Sequence, residues 1–174
     1  FSGGGSGSTL TSLSFSSTST STEAAFTNIP SGTNIIYVNF HNIQGYGGSS
    51  SSSKRYAAIQ IGDSGGYETS GYEGASGAYA NSTDIDPTDR WGLRGETYGS
   101  NGNNTKWNGT AVLTRIAGNK WFCNMLFDSP EGTGLEAGYK ELSGTLDRLR
   151  FTVTDTAAST DYQLRAKDTS YDGC

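Results

Sequence analysis

The clearest regularity in the chain runs over residues 35–43, where Ile36, Val38 and Phe40 alternate with Tyr37, Asn39 and His41. A period of two is the mark of a strand with one buried face. Weaker versions recur over residues 10–20, which alternate Leu13, Phe15 and Ser17 with polar neighbours, and over residues 23–29, which lead Ala25 and Phe26 into Pro30. Proline has no amide hydrogen for a ladder, so that strand ends or lies at an edge there. Residues 56–61, 109–116, 120–127, 141–144, 146–154 and 162–166 complete the set, and Ala117-Gly118-Asn119 reads as a hairpin turn. The intervals are too short for intervening helices. Residues 136–140 suggest at most one helical turn, opposed by Gly132, Gly134 and Gly138. Roughly eight to ten antiparallel strands predict an all-β sandwich, of jelly-roll type.

At 174 residues the chain suits one domain. Residues 1–9 read as a Gly/Ser-rich arm or linker, and residues 10–174 as the sandwich. The opening FSGGGSGST is also what the edge of the ordered part of a longer protein looks like. Residues 62–108 form a long polar insert that should hold one or two further short strands, because a structureless stretch of that length is rare in a compact domain. Low hydrophobic content (33%) with 25 Gly raises disorder as an alternative, but 10 Tyr, 7 Phe and 3 Trp placed in alternating segments argue for a packed core.

Charge and chemistry narrow the function classes. A net charge of −5 without a basic run disfavours nucleic acid as a partner. Arg148 and Arg150 alternate with Leu149 and Phe151, which places both cations on a solvent-facing strand surface. No segment approaches the ~18 apolar residues needed to cross a bilayer, so membrane insertion is not expected. Cys123 sits among Trp121, Phe122, Met125 and Leu126 as a small buried hydrophobe, while Cys174 is distant, so no disulfide framework is expected.

A single histidine, His41, without a G-x-S-x-G turn reads as a strand residue and not as a catalytic base. One His and two distant Cys do not make a zinc site. Glu68, Glu73, Glu96, Glu131, Glu136 and Glu141 could supply a glycosidase pair, but they read as loop or glycine-flanked positions. Asp84, Asp86 and Asp89 around Pro87 read as a solvated acidic turn in preference to a Ca²⁺ loop. The expectation is a protein without catalytic residues, metal or cofactor. Trp91, Tyr98 and Trp107, set among Gly and Asn in the insert, are the candidate glycan-stacking residues; the competing reading makes them plugs of the sandwich ends or a subunit contact.

Four spaced segments carry a resemblance: FTNIPSGTNIIYVNF from Phe26, IQIGDSGGYETSGY from Ile59, NKW from Asn119 and LSGTLDRLRF from Leu142. Together they resemble the β-sandwich domain found near the C-termini of bacteriophage tail fibres and other virion appendage proteins. Ile29-Pro30 matches the family's strand opening, and Ile61-Gly62 with Thr69-Ser70-Gly71-Tyr72 its short strand and turn. Trp121 and Leu142-Ser143-Gly144 match its closing strands. The likeness covers roughly residues 12–154. The chain departs from the family at its end, DYQLRAKDTSYDGC, and in its longer insert. The resemblance implies a non-enzymatic virion protein, a homotrimer in contact with other virion proteins, with a host-surface glycan as ligand. A capsid decoration or cement protein is the alternative in the same setting, and a secreted bacterial carbohydrate-binding module or adhesin the alternative outside it.

Overall fold

The computed structural model describes residues 11–13, 22–46, 55–78, 88–94, 106–129, 132–155 and 163–166. Among the described residues the chain forms eleven strands and no helix. Strands β1 (Glu23–Phe26), β3 (Arg55–Asp63), β4 (Gly66–Tyr67), β6 (Trp91–Arg94) and β10 (Arg148–Asp155) make one sheet, in the order β1-β10-β3-β4, with β6 also on β3. Strands β2 (Ile35–Tyr46), β5 (Tyr72–Ala78), β7 (Lys106–Ala117), β8 (Lys120–Ser129), β9 (Gly132–Glu141) and β11 (Gln163–Ala166) make the other, in the order β11-β2-β7-β8-β9-β5. Every pairing is antiparallel.

The two sheets form the expected β-sandwich around one core. Phe40 of β2 meets Phe151 of β10 at 5.2 Å between ring centroids, and Tyr72 of β5 meets Trp91 of β6 edge-on at 5.1 Å. Between them lie Ile59 and Ile61 from one sheet and Leu113, Cys123, Met125 and Phe127 from the other. Full burial of each such aliphatic or aromatic side chain contributes about 1.5–3 kcal/mol, the main force that holds the two sheets face to face. The jelly-roll detail is not established by this order, in which β7, β8 and β9 follow one another as a meander.

The strongest alternation reads out as expected: Phe40 is buried, Ile36 and Val38 pack on the core, and Tyr37 and His41 face out. A bulge between Phe40 and Ile43 then shifts the register, with Asn42 at φ 53° and its amide held by Asn108 Oδ1 at 2.7 Å. The extra residue returns Ile43 to the core side. The hairpin turn falls at Gly118-Asn119 as predicted.

Three expectations change. Residues 136–140 belong to strand β9, not to a helical turn, and residues 142–144 form a bend after it. The insert supplies three strands, β4, β5 and β6, which takes the total above the expected range. The strand expected over residues 10–20 lies outside the described residues except for 11–13, which are not in a strand.

Candidate functional site

Two of the three sequence-selected aromatics, Trp91 and Trp107, do not form an open stacking surface. Trp91 and Trp107 are completely buried, 0% exposed, and belong to the core cluster. A ring with no solvent-facing surface cannot stack on a sugar from outside, and these two are core residues. The reason lies in register: Trp91 pairs with Ile59 on β6–β3, and Trp107 with Ile43 on β7–β2, both on the inward faces. Tyr98 lies outside the described residues, as do Asp84 and Asp86. Among the described residues, no three His, Cys, Asp or Glu side chains are placed to hold a metal ion. Cys123 is buried, and burial pushes its thiol pKa up, with the Glu136 carboxylate adding to the effect.

What the structure does bring together is the set of spaced segments. The Ile29 amide donates to the Asp147 carbonyl at 2.8 Å, and the Asp147 amide to the Gly62 carbonyl at 3.1 Å. The Tyr72 hydroxyl accepts from the Ile61 amide at 2.9 Å and faces the Glu68 and Ile61 carbonyls at 3.1 and 3.2 Å. Trp121 and Tyr72 flank Lys140 in register on the inner face, and Lys140 Nζ forms an ion pair with Glu68. Ser143 closes the group: its amide donates to Glu68 Oε1 at 2.7 Å, and its hydroxyl lies 2.8 Å from Glu68 Oε1 and 2.9 Å from Asp63 Oδ2. A Cβ on Gly144 would stand 2.5 Å from that Asp63 oxygen, so any side chain there would push the Asp63 carboxylate away from Ser143. Residues scattered from Ile29 to Asp147 thus form one clasp at one end of the sandwich.

Electrostatics matches this structural role. Burial raises the Glu68 pKa, but hydrogen bonds from Lys140 and Ser143 outweigh it and leave the carboxyl below its ordinary value. The Gly65 amide and then the Ser143 hydroxyl lower Asp63. Carboxylates held ionised by donors are suited to fastening loops and poorly suited to act as general acids near neutral pH.

On the outer face of the smaller sheet, Arg150 donates to Gln60 Oε1 at 2.8 Å and to Glu23 Oε2 at 2.7 Å, and its guanidinium lies 4.3 Å from the Tyr67 ring centroid. Arg148 pairs with Asp147. Both arginines lie on the outward side of β10 as expected, but half-buried rather than exposed, with Asp147 and Glu23 as their counter-charges.

Strand β9 was missed in the sequence because its polarity is inverted. Its inward positions are Gly134, Glu136, Gly138 and Lys140, while Leu135 and Ala137 face out. Gly134 is required inward because a Cβ there would come within 2.1 Å of the Phe127 ring. Glu73, Glu136 and Glu141 are accordingly strand residues rather than loop carboxylates. The outward apolar residues of β9 join others on the same sheet: Tyr37 is 71% exposed, Leu135 58%, Leu126 51% and Ile35 50%. None of these was singled out for recognition from the sequence, although a strand with apolar residues opposite Gly, Glu and Lys is a detectable signal.

Comparison of the chain with protein-family models, with curated proteins and with solved structures returned no match in any of the three.

Proposed function

We propose that this chain is a non-enzymatic structural domain of a bacteriophage particle, working as a tail-fibre or appendage domain in host-surface binding. The observation that supports this reading most is the clasp. The segments on which the resemblance rests are far apart in sequence and meet at one end of the sandwich. A signature that converges in space and is used up in holding loops together describes a scaffold; it names no substrate. The work of such a scaffold is done by its surfaces, in binding and assembly. With Trp91 and Trp107 in the core, host-surface recognition on this reading belongs to exposed residues elsewhere on the domain.

The test is protein mass spectrometry of gradient-purified phage particles. Peptides of this chain at a fixed ratio to the major structural proteins are expected. Their absence from particles, with the chain found free in the medium beside a carbohydrate-active partner, would favour the secreted-module reading instead.

A further inference from the structure

We draw no further inference here: the strongest candidate, the outward face of the six-stranded sheet around Tyr37, Leu126 and Leu135, carries nothing because nothing in the structure shows what covers it.

Discussion

Ser143 illustrates how single residues hold this fold together. Its one hydroxyl proton is shared between Asp63 and Glu68, its amide is committed to Glu68, and Glu68 in turn neutralises the buried Lys140. Replacing Glu68 with Gln leaves Lys140 without its counter-charge and should cost about 1–3 kcal/mol in urea denaturation at neutral pH. The pH dependence has a definite sign. Both Asp63 and Glu68 have folded-state pKa values below their ordinary ones. Their contribution is therefore fully present above the unfolded values near ~4 and is lost as pH falls through the folded ones. Melting temperature should drop on acidification below about pH 4, with a shallower drop in Glu68→Gln; an unchanged slope would separate the clasp from acid stability. Gly134 makes a second residue-scale case. Ala at that position forces a methyl into the Phe127 ring and should destabilise by about 1–3 kcal/mol, measurable by the same denaturation.

At the scale of elements, strands with conventional polarity were legible and one with inverted polarity was not. Strand β8 buries every second residue from Trp121 to Phe127, and β2 and β10 turn Ile36, Val38, Phe40, Leu149 and Phe151 to the core, so their alternation was legible as strand. Strand β9 places Gly, Glu and Lys inward, and those residues reach the core only because tertiary partners accept them: the Phe127 ring over Gly134, and Glu68 at Lys140. No local pattern reports such partners. The insert was underestimated for a related reason, since β4 has two residues and β6 four, too short to show a period. The aromatic content of the insert was legible, but its orientation was not, because burial of Trp91 depends on pairing with Ile59, thirty-two positions earlier in the chain (91 − 59 = 32). Two measurements check the element-scale account. Trp91→Ala should cost about 3–5 kcal/mol in denaturation, the cost of a large cavity, whereas an exposed stacking tryptophan would lose ligand binding and keep stability. In a Cys174→Ser chain, Cys123 should react with a thiol reagent only at the rate of global unfolding, because it is buried in the core with its pKa raised.

At the scale of the whole molecule, the division of labour is between a core and clasp that fix the sandwich and outer faces that remain for partners. On the smaller sheet Arg150 is held by Glu23 and Gln60, while the larger sheet exposes Ile35, Tyr37, Leu126 and Leu135. On the reading proposed above, from the resemblance carried by the clasp segments, the chain is a component of a phage particle. The most direct measurement is electron microscopy of intact phage particles labelled with a gold-conjugated antibody against this chain. The account predicts gold at the tail or fibre tips. Gold distributed over the head would contradict the appendage role in favour of decoration, and particles without gold would contradict the virion assignment itself.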